Sequence, residues 1–432
     1  MFLFRSHVKL VGNGSVRKPE TVEKLYLDFD GFFASVMQQA IPSLRGRPIG
    51  VIPFEVEGRA ANSTVVIACS KEAKAYGVKN VMPVPEAKAL CPDLILVPQQ
   101  PDLFRRANAA LLNEISCEIP IEAIKSIDEM TCRLDARDIA APHELAARIK
   151  ARIAKNVGPF ITCSIGMAAN RLLAKIACKV NKPNGITIWE PAAMPGPLLM
   201  RPMSDIPGIG PSMSRRLAAA GLGNMIALWN SQPKHLRAIW GNVNGERMWY
   251  ALHGYDLHAM PTVRSMFGHG RVLPPELRTL LKARECTKLL LTKAARRMRR
   301  GGFRANSLSL WLSLFDDSWG KSIDLPAVMD DLAIQRALDG LWRQAMSDLP
   351  SKTKTYVVGT ALGRLSDISM RQGDLLLDDD KERHRSERIT NTIDGLNAKF
   401  GKRVVTIGPW SDLALAGGKI AYNRIPSAED FW

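Results

Sequence analysis

The segment that most constrains the fold of this chain is LYLDFDGFFASV, at residues 25–36. Its first five residues are mostly apolar and predict a short buried strand that carries Asp28 near its C-terminal end. A carboxylate is costly to bury, so we expect a cation or a hydrogen-bond donor beside Asp28. The apolar residues after Asp30 have helical spacing, and Asp is a good helix N-cap. We therefore assign Asp28 to chemistry and Asp30 to helix capping.

The composition is that of a soluble protein of two to four domains. The chain has 432 residues, 46% of them hydrophobic, and no segment approaches the ~20 consecutive apolar residues of a membrane helix. The N-terminus lacks an export signal. Seven scattered cysteines without a CxxC pair favour a reducing cytoplasm and argue against zinc. The net charge of +17 indicates a polyanionic partner.

Positive charge is concentrated between residues 264 and 304. Twelve Lys or Arg stand there against two Glu, a local net charge of 12 − 2 = +10. Part of this run has a helical pattern, KAARRMRRGGFR. We expect it to bind phosphate groups, the alternative being a solvated basic face. The candidate phosphate contacts on this helix are Arg296, Arg297, Arg299 and Arg300.

A second acidic site lies at Asp128 and Glu129, between two strand-like runs in IEAIKSIDEMTCRLD. Adjacent acids repel each other, and in isolation a plain surface pair is a reasonable alternative. The neighbours Ile127 and Met130 suggest partial burial and hence a cation between the carboxylates. The surrounding alternation of strands and helices, with hairpins as well as crossovers, predicts an α+β sheet covered by helices on one face.

Three further elements suggest phosphate binding. Lys71 and Lys74 share one face of a short helix, and Lys182 lies in the turn NKPNG near the expected acidic edge, with a solvated turn lysine as the alternative. The IPGIG hairpin, with Gly208 and Gly210, opens a helix whose free N–H groups would grip a phosphate. The alternative there is a glycine-rich C-cap.

Together these elements favour a nucleic-acid substrate with a nucleoside triphosphate beside it. Asp28, Asp128 and Glu129 would hold two Mg²⁺ ions, which prefer oxygen ligands. One ion would activate a primer 3′ hydroxyl and the other would neutralise the leaving pyrophosphate.

The chain also resembles a known family. DFDGFFASV, ACSKEAKAYGVKNVMPVPEAKALCPDL, SIDE, CSIGMAANRLLAKIACKVNKPNGI and IPGIGPSMSRRL are similar, in order, to motifs of the Y-family translesion DNA polymerases, the UmuC/DinB group. The resemblance covers residues 22–400 and implies a ferredoxin-like palm, small fingers, a helix-hairpin-helix thumb and an α+β little finger. The expected boundaries are a flexible arm at 1–21, palm at 22–30 and 98–189, fingers at 31–97, thumb at 190–260, little finger at 264–367 and a tail at 368–432.

The resemblance also implies roles for individual residues. Asp28, Asp128 and Glu129, together with Phe29, would be the metal ligands. Phe33 would be a steric gate against the ribose 2′ hydroxyl, with Phe29 and Phe32 also in the substrate site, and Lys182 would contact the triphosphate. The RQGDLLL segment occupies the place of a sliding-clamp motif, with Gln372, Leu375 and either Leu376 or Leu377 as its anchors.

The chain is expected to be a cytoplasmic monomer. Its implied partners are primer-template DNA, deoxynucleoside triphosphates, a sliding clamp and other proteins of mutagenic repair.

One departure from the family pattern affects the fingers. Lys71 and Lys74 replace the usual Tyr and Arg, so charge is kept while the bidentate fork of Arg and the phenolic hydroxyl are lost. This favours an alternative hypothesis, a non-catalytic adaptor that binds DNA and clamp. The three retained acids favour an active, low-fidelity polymerase. A palm-fold cyclase would explain the acids without explaining the hairpin or the basic last domain.

Overall fold

A computed structural model describes residues 16–53, 64–258, 263–369 and 380–407. The chain forms two compact units that divide near residue 260. Within the described ranges, no helix combines the length and apolar character that crossing a membrane requires.

The first unit begins with alternating strands and helices. In chain order they are β1 (Lys24–Phe29), α1 (Phe32–Ala40), β2 (Ile49–Ile52), β3 (Val65–Val66), β4 (Ala68–Cys69), α2 (Lys71–Ala75), β5 (Met82–Pro83), α3 (Val84–Leu90), β6 (Ile95–Pro98), α4 (Pro101–Ser116), β7 (Ile121–Ile124), β8 (Glu129–Arg133), α5 (Ala136–Ala140), α6 (Pro142–Asn156), β9 (Cys163–Ala168), α7 (Arg171–Cys178) and β10 (Ile186–Ile188).

The main sheet has the strand order β10-β9-β1-β8-β7. Strand β1 is central and antiparallel to both neighbours, and β10 runs parallel to β9. The strand β1 is covered on both faces, and not on one face as predicted, so its apolar residues are buried and only Asp28 is partly exposed. The order β9-β1-β8-β7 is that of a ferredoxin-like sheet. The prediction of an α+β fold with a ferredoxin-like palm is therefore confirmed.

Two small sheets lie in the sequence between β1 and α4. One has the order β4-β2-β6, and the other pairs β3 with β5. Helix α2 packs against β2 and is capped at its N-terminus by Ser70, whose Oγ accepts a hydrogen bond from the Ala73 amide. These elements occupy the residues expected to form the fingers.

The first unit continues with a group of short helices. They are α8 (Gly196–Leu199), α9 (Pro211–Ala219), α10 (Met225–Trp229), α11 (Pro233–Trp240) and α12 (Val243–Leu252). Their buried side chains, such as Leu217, Leu228 and Leu236, join one core with Leu173 and Ile176 of α7. This core attaches the helical region to the main sheet of the same unit.

Among the described residues, the second unit has one sheet and three α-helices. Its elements are β11 (Met266–Val272), α13 (Leu280–Arg300), β12 (Phe303–Ser313), β13 (Ser318–Val328), α14 (Asp331–Asp348), β14 (Val357–Gly363), β15 (Ser366–Asp367) and α15 (Asp380–Phe400). The sheet order is β11-β14-β12-β13, all antiparallel, and β15 pairs with β12. The inward leucines of β12, including Leu308 and Leu312, pack with Trp342 of α14 and Leu291 of α13.

Helix α15 packs on this unit through its polar side chains. Glu387, Thr390 and Asn397 are buried, whereas Leu396 and Phe400 are 37% and 57% exposed. The buried polar groups have partners: Glu387 pairs with Arg304, the Thr390 hydroxyl accepts from the Asp331 amide, and Asn397 bonds Val404 and Val405. The usual orientation of an amphipathic helix is thus reversed.

Candidate active site

The three acids predicted to act together lie at one edge of the main sheet. Asp28 of β1 is directly opposite Glu129 of β8 in the strand register, and opposite residues in antiparallel strands have Cα atoms about 4.5–5.5 Å apart. The Asp128 carbonyl accepts a hydrogen bond from the Phe29 amide at 2.9 Å. Residues a hundred positions apart in sequence are therefore neighbours, as the sequence predicted.

Burial disfavours the charged forms of two of these acids. It raises the pKa of Asp28 to about 6, with Asp128 and Glu129 adding to the rise and Lys182 opposing it. Burial likewise raises the pKa of Asp128, since the charge of Glu129 adds to desolvation and the hydrogen bond from Ser126 only partly offsets them. Negative charge at this edge is thus held at a free-energy cost that a cation would relieve.

Two lysines contact the acids. Lys182 forms an ion pair with Asp28. Burial lowers the pKa of Lys182, but the charge and hydrogen bond of Asp28 outweigh burial and raise it overall. Lys175 of α7 donates to both carboxylate oxygens of Glu129, at 2.8 and 3.0 Å, and to the Tyr26 hydroxyl at 2.9 Å.

Sequence reasoning missed Lys175, and the signal available was a single lysine inside the apolar run LLAKIAC.

The residues at this edge suit a divalent metal in chemistry and charge. Three carboxylates face two lysines, and Asp128 forms no ion pair with any described residue. Carboxylate oxygens are the ligands that Mg²⁺ prefers. Within the described ranges, however, no three His, Cys, Asp or Glu side chains are arranged to hold a metal ion. Asp28 pairs instead with Lys182, and Glu129 pairs with Lys175.

The aromatic residues predicted beside the acids differ in exposure. Phe29 and Phe32 are 1% and 3% exposed, so their side chains belong to the core. A contact with substrate or metal through these two residues would have to use their backbone atoms. Phe33 is half-buried and packs on Phe104, with ring centroids 4.6 Å apart. Of the three rings, that of Phe33 is the one available to a ligand.

The two lysines of α2 are both exposed. The Lys74 ammonium nitrogen lies 3.8 Å from where a Cβ on Gly31 would be. Gly31 immediately precedes α1 and has a φ of +55°. Lys74 therefore reaches toward the turn that follows Asp28. Lys71 makes no described contact with that turn.

Asp30 does not cap α1, and that prediction is wrong. The N-cap is Gly31, in the left-handed conformation and without a side-chain hydrogen bond. The Asp30 carboxylate instead accepts hydrogen bonds from Ser164, Thr162 and the Asn184 amide. These donors lie at the start of β9 and in the turn that carries Lys182, so Asp30 joins distant segments.

The glycine hairpin is present in the helical region. A single 3₁₀ turn at Met203–Asp205 leads through Gly208, with a φ of +95°, to Gly210 at the N-cap of α9. No side chain caps α9, and a Cβ on Gly210 would meet no atom within 4 Å. The first amide groups of α9 therefore lie in open surroundings.

The prediction that α13 presents a row of arginines to phosphate is wrong for Arg296 and Arg299. Both are buried, at 7% and 8% exposure. Arg299 pairs with Asp331 at 2.8 Å and Asp394 at 2.7 Å, and Arg296 pairs with Asp394 at 3.4 Å. Nearby acids outside the basic run neutralise these charges.

The other two arginines of the predicted row differ from each other. Arg297 donates to the Gly268 carbonyl at 2.8 Å and is partly buried. Arg300 is exposed. The predicted clamp anchors Gln372, Leu375, Leu376 and Leu377 lie outside the described residues.

Comparison with known families identifies both halves of the chain. Residues 27–179 match the model of the impB/mucB/samB family. Residues 264–375 match the model of the C-terminal domain of that family.

Curated relatives carry the name DNA polymerase IV. The protein of Moorella thermoacetica is 32% identical over 395 residues, which is 88% of this chain and 94% of the relative. That of Gluconobacter oxydans is 38% identical over 202 residues, 46% of this chain and 54% of the relative. The Pelotomaculum thermopropionicum protein is 28% identical across 92% of this chain and 99% of the relative.

Solved structures share the fold. A Y-family DNA polymerase chimera, Dbh-Dpo4(243-245)-Dbh, has a TM-score of 0.67 and 23% identity, covering 79% of this chain and 99% of its own. An insertion ternary complex of Dbh DNA polymerase has a TM-score of 0.52 and 22% identity, covering 79% of this chain and 98% of its own. The chain therefore belongs to the impB/mucB/samB family and is a DinB-like DNA polymerase of the Y-family.

Proposed function

We propose that this DNA polymerase performs low-fidelity translesion synthesis by metal-dependent nucleotidyl transfer at the edge formed by Asp28, Asp128 and Glu129. The observation that carries the proposal is the juxtaposition of these three carboxylates, two of which have pKa values raised by burial. Two bound Mg²⁺ ions would activate the primer 3′ hydroxyl and neutralise the pyrophosphate leaving group.

The residues of the chain would prepare this edge for substrate. Asp28, Asp128 and Glu129 would hold the ions, with the Phe29 carbonyl as a further oxygen donor. Lys182 would leave Asp28 when a cation binds there and would then contact the triphosphate. The triphosphate would replace Asp28 as the anionic partner of the Lys182 ammonium group.

Nucleotide selection would depend on Phe33 and Lys74. The half-buried ring of Phe33 is held by Phe104, and a ring fixed at this place would exclude a ribose 2′ hydroxyl. Lys74 reaches toward Gly31, which precedes the helix that carries Phe33. It would attract the triphosphate as a point charge. Because lysine lacks the planar fork of arginine, we expect weaker orientation of the nucleotide. Lys71 would contribute positive charge alone.

Primer-template DNA would bind by its backbone. The open amides at the start of α9, near Gly208 and Gly210, suit a phosphate because a helix N-terminus carries partial positive charge. Arg300 is the exposed member of the arginine row, and the proposed DNA contact on α13 is now confined to it and Arg297. A sliding clamp would bind the RQGDLLL segment.

Primer extension with Mg²⁺ on undamaged and abasic templates tests the proposal. We expect the wild type to extend both templates, and Asp128→Ala to bind DNA without extending either. Asp93→Asn, at an exposed carboxylate of the same unit, is the matched control and should remain active. Failure of the wild type to incorporate nucleotides while its DNA binding is intact would contradict the proposal.

The exposed lysines of α2 favour a second candidate function. A protein with Lys71 and Lys74 in the fingers would suit an adaptor that binds DNA and clamp without rapid synthesis. The same assay distinguishes the two, because an adaptor would give no Mg²⁺-dependent extension on either template.

A further inference from the structure

The carboxylate of Asp30 links three segments of the first unit. Oδ1 accepts a hydrogen bond from Ser164 Oγ at 2.8 Å, and Oδ2 accepts from Thr162 Oγ1 at 3.0 Å and from the Asn184 amide at 2.8 Å. The Asp30 amide in turn donates to the Thr162 carbonyl at 2.9 Å. With donors on both oxygens, this carboxylate is held in one orientation.

The Asn184 amide belongs to the turn that carries Lys182. Asn184 has a φ of +58°, an unusual conformation for a residue with a side chain. The turn is also held from α6, where Lys150 donates to the Gly185 carbonyl at 3.0 Å and to the Asn184 side chain at 3.2 Å. The backbone of the turn is thus fixed from two sides, by Asp30 and by Lys150.

The side chain of Lys182 provides a second connection between this turn and β1, through its ion pair with Asp28. This ion pair has to weaken whenever Asp28 binds a cation, since both compete for the same oxygens. The hydrogen bond from Asn184 to Asp30 does not involve those oxygens. Release of Lys182 therefore does not by itself remove this hydrogen bond.

We propose that Asp30 is a positioning residue that holds the 181–185 turn in place while Lys182 exchanges Asp28 for the triphosphate. Asp30 itself touches neither metal nor nucleotide. This inference rests on the proposed function of Lys182 and adds to it the residue that sets where the ammonium group lies. It predicts that Asp30 acts on nucleotide binding only through Lys182.

A double-mutant cycle in the 432-residue chain tests this dependence. Single-nucleotide incorporation at varied dNTP concentration gives kcat and KM for the wild type, Asp30→Asn, Lys182→Ala and the double variant. We expect Asp30→Asn to raise KM for dNTP about tenfold with kcat changed less than about threefold. In the Lys182→Ala background, Asp30→Asn should leave KM unchanged.

The matched control is Asp135→Asn, which removes another aspartate that accepts a backbone hydrogen bond in the same unit, from the Asp138 amide at 2.9 Å. It should leave KM unchanged in both backgrounds. If Asp30→Asn does not fold, Thr162→Val carries the test, with a KM rise of about threefold that disappears when Lys182 is absent.

The outcomes separate the two levels of the argument. If Lys182→Ala leaves KM for dNTP unchanged, the proposed role of Lys182 fails, and the positioning role fails with it. If Lys182→Ala raises KM but the effect of Asp30→Asn persists in full beside it, the role of Lys182 stands and Asp30 is a structural residue only. An unchanged KM in Asp30→Asn, or in Thr162→Val if that variant carries the test, overturns the positioning role as well.

Discussion

Replacing Asp28 by Asn should stabilise the metal-free protein while abolishing its activity. Asn mimics the neutral form of the carboxyl group, and the folded protein favours that form because burial raises the pKa of Asp28 from its usual 3.8 to about 6. A carboxylate with a raised pKa lowers stability only where it is ionised. The destabilisation is absent below about pH 4, grows between the two pKa values and is complete above about pH 6.

The magnitude follows from the two pKa values. At about 1.36 kcal/mol per pH unit, the rise from 3.8 to about 6 corresponds to about 3 kcal/mol at pH 7.5 and to about 1 kcal/mol at pH 4.5. The attraction of Lys182 is already included in the pKa of Asp28. Asp28→Asn should therefore exceed the wild type in free energy of unfolding by these amounts.

Urea unfolding in the presence of a chelator measures the difference at both pH values. Asp93→Asn is the control, because it removes an exposed carboxylate from the same unit and should show no such pH dependence. Adding Mg²⁺ should stabilise the wild type more than Asp28→Asn, since a ligand stabilises the state that binds it. An Asp28→Asn variant no more stable than the wild type at pH 7.5 would refute the reasoning.

Three further substitutions give distinct expectations. Lys175→Met leaves Glu129 partly buried without its cation, so unfolding should become easier by about 1–3 kcal/mol in urea and extension slower, and unchanged stability would contradict this. Arg299→Met removes the ion-pair partner of Asp331 and should destabilise the second unit by about 3–5 kcal/mol. The salt dependence of DNA binding should not change. A weaker salt dependence would show that Arg299 contacts DNA. Phe33→Ala should admit ribonucleotides in primer extension, and unchanged sugar selection would reject its role as a gate.

The sequence predicted the fold and the acidic edge because both follow from local patterns. An apolar run predicts a buried strand, and Asp28 and Glu129 each stand where such a run meets polar residues. The resemblance to a family then implied that both acidic sites contribute ligands to one metal centre. The register found in the sheet, with Asp28 opposite Glu129, is consistent with both arguments.

The prediction for Asp30 failed because its partners are distant in sequence. Ser164 and Asn184 lie 134 and 154 positions further along the chain, so the local pattern showed only the start of a helix. An aspartate before an apolar helix is a good N-cap on average. Here the Asp30 carboxylate accepts hydrogen bonds from these distant donors instead. Gly31 occupies the N-cap position.

The prediction that the arginines of α13 bind phosphate failed for Arg296 and Arg299 for a related reason. Helical spacing identifies which residues share a face but not what covers that face. The acids that neutralise Arg299 lie 32 and 95 positions later. Asp394 belongs to a helix whose own sequence resembles a solvated one.

The reversed packing of α15 has a consequence for how this helix finds its place. A helix packed through an apolar face can shift along its partner, because one apolar contact replaces another. In α15, by contrast, Glu387 pairs with Arg304 and Asp394 pairs with Arg299. A shift by one turn would bury unlike partners or leave a charge alone. Arg299 Nη2 and Arg304 Nε already lack acceptors among the described residues. The position of α15 on the second unit is therefore specified by its ion pairs with Arg299 and Arg304.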